Sequence, residues 1–184
     1  MQLFKEKPHL ITREMDWIEG ARKGDRKSQK AIYDLLSRKM FAVCLRYMGD
    51  QDAAEDVLQD GFVTLFSKLD SFHGEGSFEG WARKIFVNTA LMSLRRKDVL
   101  KQTEDVDSAW NVLSEDPTPI QKITYDELLD CIAELPPGFR AVFNMYVVEG
   151  YSHKEIAEEL GISETTSRSQ LLRARAMLQS RIKK

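Results

Sequence analysis

EIAEELGISETTSRSQLLRAR, residues 155–175, is the stretch on which the fold turns. It reads as two short helical patterns hinged at Gly161-Ile162-Ser163. Just upstream, Ser152-His153-Lys154-Glu155 fits a capping box, in which the serine hydroxyl and the glutamate carboxylate each satisfy a helix-end amide. Ile156, Ala157 and Leu160 then face inward. Ala157 is small where a second helix should cross closely, Gly161 permits a tight turn, and Ile162 plugs the angle. Ser163 can cap the second helix, with Glu164 in its first turn. The combination specifies a helix-turn-helix. Such units lay the second helix in the major groove of DNA, with its early residues at base edges. On that geometry Thr165, Thr166, Ser169 and Gln170 reach bases, while Arg168, Arg173 and Arg175 reach bases or phosphates. Glutamine pairs with adenine through two hydrogen bonds, and arginine with guanine. Ser167 departs from the pattern, standing where an apolar residue would ordinarily pack on the first helix.

Charge raises a difficulty. The 184 residues carry 27 basic and 29 acidic side chains, a formal charge of -2, whereas a dedicated DNA binder should attract phosphate over most of its length. The distribution resolves part of it. Residues 83–97 hold five basic side chains and no acidic one, and residues 164–184 hold six against one. Between them, residues 98–121 set Lys101 against Asp98, Glu104, Asp105, Asp107, Glu115 and Asp116. Two cationic patches separated by an acidic segment suggest two nucleic-acid contacts joined by a linker that avoids phosphate.

The rest of the chain is helical in its spacing, with almost no alternation of period two. Residues 15–23 form a short helix candidate. Residues 28–48 follow, with Ile32, Leu35, Leu36, Val43 and Tyr47 toward a core. Asp50-Gln51-Asp52 opens the next helix, where acids suit the positive end of the dipole. Its apolar face is Ala54, Val57, Leu58, Gly61, Phe62, Leu65 and Leu69. A loop, DSFHGEGS (70–77), leads to a helix over residues 78–96 with Trp81, Ile85, Phe86, Ala90, Leu91 and Leu94 inward. Polar stripes run along it through Lys84, Asn88 and Arg95, and through Thr89, Ser93 and Arg96. Beyond the linker, Leu128, Cys131, Ile132 and Leu135 give one helical face, Pro136-Pro137 breaks the chain, and Phe139, Val142, Phe143, Tyr146 and Val147 give the next. The expectation is an all-α chain of two small helical domains joined by a flexible linker: a tail over 1–11, a first domain over 12–97, a linker over 98–121 and a helix-turn-helix domain over 122–184.

GYSHKEIAEELGISETTSRSQLLRARAML resembles the second DNA-binding domain of bacterial sigma factors, and AAEDVLQDGFVTLFSKLDSFHGEGSFEGWARKIFVNTALMSLRRK resembles their conserved first domain. With the short linker, the chain is similar to the small extracytoplasmic-function class over roughly residues 12–97 and 122–184. The resemblance implies a partner, core RNA polymerase, met through Asp56, Gln59, Asp60 and Val63 on the helix over 52–68. It implies that the minus-ten promoter element is opened and read by the next loop and helix, through Phe72, His73, Lys84, Asn88, Arg95 and Arg96. A glycine-rich loop can close around an unstacked base, and aromatic stacking contributes roughly 1–3 kcal/mol per base. Trp81, on the inner face, is assigned to the core. The minus-thirty-five element falls to the helix over 164–175, where Ser167 replaces the common valine and Gln170 stands where a basic residue is frequent. The class also implies a sequestering anti-sigma partner.

The charge difficulty then closes, because polymerase holds a sigma factor on its promoter and the free chain need not grip phosphate strongly. A linker of about 24 residues spans at most roughly 80 Å, with a coil average near 27 Å. That accommodates sites one or two DNA turns apart, about 35–70 Å. A plain operator-binding regulator would explain residues 136–178 but leave the first domain without a task. No enzyme is expected: His9, His73 and His153 are isolated, Cys44 and Cys131 are far apart, and no nucleophile, metal-ligand or phosphate-loop pattern is present, so no cofactor, metal or small-molecule substrate is assigned. No apolar run reaches the roughly 18 residues of a membrane span and no signal peptide is read, which places the protein in the cytoplasm with reduced thiols.

Overall fold

The structure, a computed structural model, describes residues 8–96 and 124–182. The expected acidic linker over 98–121 lies outside the described residues. Every described element is helical, and the helices fall into two groups on either side of it.

Helices α1 (Pro8–Arg22), α2 (Arg26–Met48), α3 (Gln51–Ser67) and α4 (Phe78–Arg96) make the first group. Helix α1 begins at Pro8, inside the stretch expected as tail; proline suits a first helical position because its missing N–H would be unpaired there anyway. Asp25 caps α2, accepting from the Ser28 amide at 2.9 Å, and Asp50 caps α3, accepting from Ala53 at 2.9 Å. Helix α2 is the central element, packed on α1, α3 and α4. Its buried stripe is Ile32, Leu36, Met40, Val43, Cys44 and Tyr47. Leu35, expected inward, is 40% exposed, because the stripe steps from Ile32 to Leu36 and leaves it on the flank. Burial pushes the Cys44 thiol up to about 12, so it stays protonated and unreactive.

Helices α5 (Tyr125–Ala133), α6 (Pro137–Phe143), α7 (His153–Leu160) and α8 (Glu164–Ile182) make the second group. Capping boxes at Thr124 and Ser152 start α5 and α7. Ile132, Leu135 and Phe139 meet Ala174 and Leu178 of α8 in a small core. After α6 the helix widens into a π turn, Asn144–Val148, with the Glu149 amide bonded to the Asn144 carbonyl at 3.0 Å. The wider turn rotates the side chains of this segment about the helix axis. Asn144 and Met145 turn inward, while Tyr146 and Val147, expected inward, are left exposed.

The two groups pack against each other. Ala141, Val142, Met145, Ile156, Leu160 and Leu171 belong to the same contiguous buried cluster as the α1–α4 core. Helices α5 and α6 lie on α2.

Candidate nucleic-acid interface

The helix-turn-helix forms as its sequence dictates. Ser152 Oγ accepts from the Glu155 amide, and the Glu155 carboxylate accepts from the Ser152 amide at 2.8 Å. Gly161 closes α7 in the left-handed region at φ 68°, and the Ile162 amide bonds back to the Ala157 carbonyl at 3.1 Å. Ser163 Oγ then accepts from the Thr166 amide at 2.9 Å, starting α8.

Of the residues expected to read DNA on α8, Thr165, Arg168 and Arg175 are exposed, and Thr166, Ser169 and Arg173 are half-buried. Several of these have local partners, the Thr166 hydroxyl meeting that of Ser163 at 2.8 Å among them. Arg168 pairs with Glu164 at 3.1 Å, and the Ser169 hydroxyl donates to the Thr166 carbonyl at 3.0 Å. Gln170 is a correction. It is 4% exposed and shares the inward stripe of α8 with Ser167, Leu171, Ala174 and Leu178, so it presents nothing to a base edge. Three residues beyond Ser167, it falls on the same helix face. Ser167 is fully buried, and its hydroxyl is satisfied by His153 Nδ1 at 2.9 Å, which is how a polar residue occupies a packing position. The His153 ring stacks on Tyr146 at 4.5 Å between centroids, and the Arg175 guanidinium lies over the same tyrosine at 5.9 Å. The inward reading of Tyr146 hid this stack; Leu172, exposed midway along α8, was missed as well.

On the first group, Lys84, Asn88, Arg95 and Arg96 are exposed along α4, and His73 is exposed in the loop. Phe72 is a second correction. It is 4% exposed and packs edge-on against Phe78 at 5.2 Å and against Trp81 at 5.3 Å. Arg22 donates to the carbonyls of Leu69 and Phe72 from behind, tying the loop to α1. Phe72 therefore supports the loop from beneath, and no face of it is free to stack. Trp81, assigned to the core, does pack there, half-buried.

Asp56, Gln59, Asp60 and Val63 all lie on the outer face of α3. Val63 is 67% exposed. Asp56, Gln59 and Val63 edge a groove of about 750 Å³ floored by Phe41, Phe62 and Phe66. A second groove, about 320 Å³, runs between α3 and α4 and brings Asp60 and Val63 together with Asn88 and Arg96. Thr64, Lys68 and Met92 also line it, and periodicity counted along one helix at a time could not have joined them.

Two family models match the chain: the Sigma-70 region 2 model over residues 32–99 and the Sigma-70, region 4 model over residues 125–178. Together, in this order, they define a transcription initiation factor of the sigma-70 kind. The ECF RNA polymerase sigma factor SigE of Mycolicibacterium smegmatis is 28% identical over 187 residues, covering 92% of this chain and 72% of its own. The ECF RNA polymerase sigma-E factor of Haemophilus influenzae is 29% identical over 176 residues, covering 90% and 93%. Among solved structures, the sigma factor RpoE of Bartonella quintana, in complex with the anti-sigma factor NepR, aligns with 82% of this chain and 94% of its own at 22% identity and a TM-score of 0.49. The chain belongs to the extracytoplasmic-function sigma factors of the sigma-70 family, and it directs RNA polymerase to promoters. A regulator that binds operators alone would not account for the region 2 match.

Among the described residues, no helix is long and apolar enough to cross a membrane, and no three His, Cys, Asp or Glu side chains are grouped to hold a metal ion.

Proposed function

We propose that this sigma factor meets core RNA polymerase through the outer face of α3, with Asp56, Gln59, Asp60 and Val63 as the contact. The minus-ten element is read by His73, Lys84, Asn88, Arg95 and Arg96, and the minus-thirty-five element by Thr165, Thr166, Arg168, Ser169, Arg173 and Arg175. The domain limits are those of the sequence, with the first domain beginning in α1.

The single observation that carries the polymerase contact is Val63, two-thirds exposed beside acidic neighbours at the lip of an aromatic-floored groove. An exposed apolar floor with a polar rim marks a surface that a protein partner covers. The contact supplies most of the promoter affinity, since about five cations per patch give only modest counterion release. Phosphodiester chemistry is left to the polymerase; the chain works in the cytoplasm, takes no small-molecule substrate, and is held in reserve by an anti-sigma partner.

Size-exclusion chromatography with purified core enzyme tests the reading. The chain co-elutes, Val63→Glu weakens co-elution without altering the helical circular dichroism, and run-off transcription falls in step. Failure of the unaltered chain to co-elute refutes the polymerase contact.

A further inference from the structure

A third cationic patch stands at the corner between α1 and α2, where residues 22–30 set Arg22, Lys23, Arg26, Lys27 and Lys30 against a single acid, Asp25. These charges are not equally available. Lys30 pairs with Asp34 at 2.6 Å, one turn along α2. Arg22 is spent on the neighbouring loop: it donates to the Leu69 carbonyl at 3.2 Å and to that of Phe72, and lies 3.8 Å from Asp70. Asp25 is committed as well, its carboxylate accepting from the Ser28 amide at 2.9 Å and from the Ser28 hydroxyl at 2.6 Å. Lys23, Arg26 and Lys27 are left exposed, with no ion pair among the described residues.

Local packing fixes where these three cations stand. The Gly24 amide donates to the Ala21 carbonyl and the Asp25 amide to the Gly20 carbonyl, both at 3.0 Å, which closes α1 and turns the chain directly into α2. Gly20 lets the two helices approach closely, since a Cβ there would stand 2.2 Å from Ser28 Oγ. Arg22 then ties the corner to the start of the loop over residues 70–77. Glu14 and Met15 of α1 line a cavity of about 490 Å³ together with Phe72, Gly74, Gly76 and Ser77 of that loop. Helix α1 therefore runs beside the loop, and its last turn brings the free cations to the loop's edge. Helix α4 leaves the other end of the loop with Lys84 exposed, so the loop has cations at both ends.

The chemistry of the corner selects its ligand. Residues 20–30 include no aromatic side chain, so they can neutralise phosphate but offer no face on which a base could stack. A strand whose bases are held by the loop has a backbone that continues past it, and a cationic surface beside a reading site is what such a backbone follows.

We propose that Lys23, Arg26 and Lys27 form a phosphate-binding site for the opened, single-stranded promoter DNA next to the minus-ten element. The site adds affinity and no base preference. It rests on the proposed reading of that element by His73 and α4, and extends it to a surface which that reading leaves out.

The test uses holoenzyme assembled from the full chain and core polymerase. It is titrated, over a series of salt concentrations, with a fluorescent single-stranded oligonucleotide that carries the minus-ten element of a promoter this factor transcribes and unpaired flanks on both sides. Each phosphate contact on a single strand contributes about 0.7 to the slope of log affinity against log salt. In the triple variant Lys23→Gln, Arg26→Gln, Lys27→Gln the slope becomes shallower by about two. Affinity falls, while preference for the minus-ten sequence over a scrambled strand, co-elution with core enzyme and helical circular dichroism are retained. Lys27→Gln alone shifts the slope by about 0.7 and covers the case in which the triple variant unfolds. An unchanged slope in folded variants marks a merely solvated face and overturns the site. Loss of co-elution assigns the corner to an acidic surface of polymerase and overturns it as well. A parent that binds the scrambled strand equally well refutes the minus-ten reading itself, and the site falls with it.

Discussion

Gln170→Leu should stabilise the protein and leave promoter choice untouched. Gln170 is 4% exposed on the inward stripe of α8, and its side-chain carbonyl has no hydrogen-bond partner. A buried acceptor without a partner costs about 1–3 kcal/mol. Leucine occupies a similar volume, removes that polar atom and adds apolar burial, against a shape penalty below about 1.5 kcal/mol. The balance favours the variant by about 1–2 kcal/mol, and a chain of this size gains about 2–4 °C of Tm for each kcal/mol. Thermal unfolding followed by circular dichroism checks the stability. Run-off transcription from templates varied through the minus-thirty-five element checks the function. A variant less stable than the parent, or one with an altered base preference, would return Gln170 to the DNA-reading set and refute its burial.

Gly61→Ala should destabilise, against the usual gain of about 1 kcal/mol when alanine replaces a helical glycine. A Cβ at Gly61 would stand 2.3 Å from the ring of fully buried Phe86, itself packed edge-on against Phe62 at 5.0 Å. Overpacking of about 1–3 kcal/mol then outweighs propensity, and urea unfolding should show a lower midpoint; a raised one would mean that α3 and α4 are less tightly crossed. His153 should make stability pH-dependent. Burial, then the charge of Arg168, holds its imidazole below the ordinary 6.5, so the folded state binds fewer protons than the unfolded one. The contribution is full above 6.5 and is lost as pH falls below it toward the folded value. Between about pH 7.5 and about 5.5 the parent's Tm should fall more steeply than that of His153→Gln, and parallel profiles would remove His153 as the cause.

The features legible in the sequence are those decided within one or two helical turns. Ser152 and Glu155 satisfy end amides only a few residues away, so their geometry follows from spacing alone. Gly161 and Ser163 end one helix and begin the next for equally local reasons. The outer faces of α3 and α4 were legible because polar residues recur there with the helical period. Ser167 and Gln170 break that logic, since periodicity sorts residues by polarity and both turn inward; what admits Ser167 is a hydroxyl partner, His153, fourteen positions earlier. Phe72 fails for the opposite reason: an aromatic in a polar loop looks available, but Phe78 and Trp81 cover it from the next helix. The π turn is a third case, because one widened turn exchanges Tyr146 and Val147 for Asn144 and Met145 without any change of composition.

Arg140 and Asn144 carry the point furthest. On their own helix they are a cation and an amide among apolar neighbours. Each is explained by backbone carbonyls of α2 more than ninety residues away in sequence, Tyr47 and Met48 for Arg140 and Arg46 for Asn144. Those carbonyls are free because α2 stops at Gly49, and they are reachable because Gly49 has no side chain. A helix end therefore sets two requirements at once, a donor and an empty space, and one domain supplies each. Removing Arg140 would strip the donor while leaving the α2 carbonyls buried beneath the same apolar contact, so the loss would exceed that of an exposed hydrogen bond. Gly49→Ala acts on the space instead and leaves every donor in place. It should therefore loosen the contact between the two groups of helices while leaving the donors of each in place.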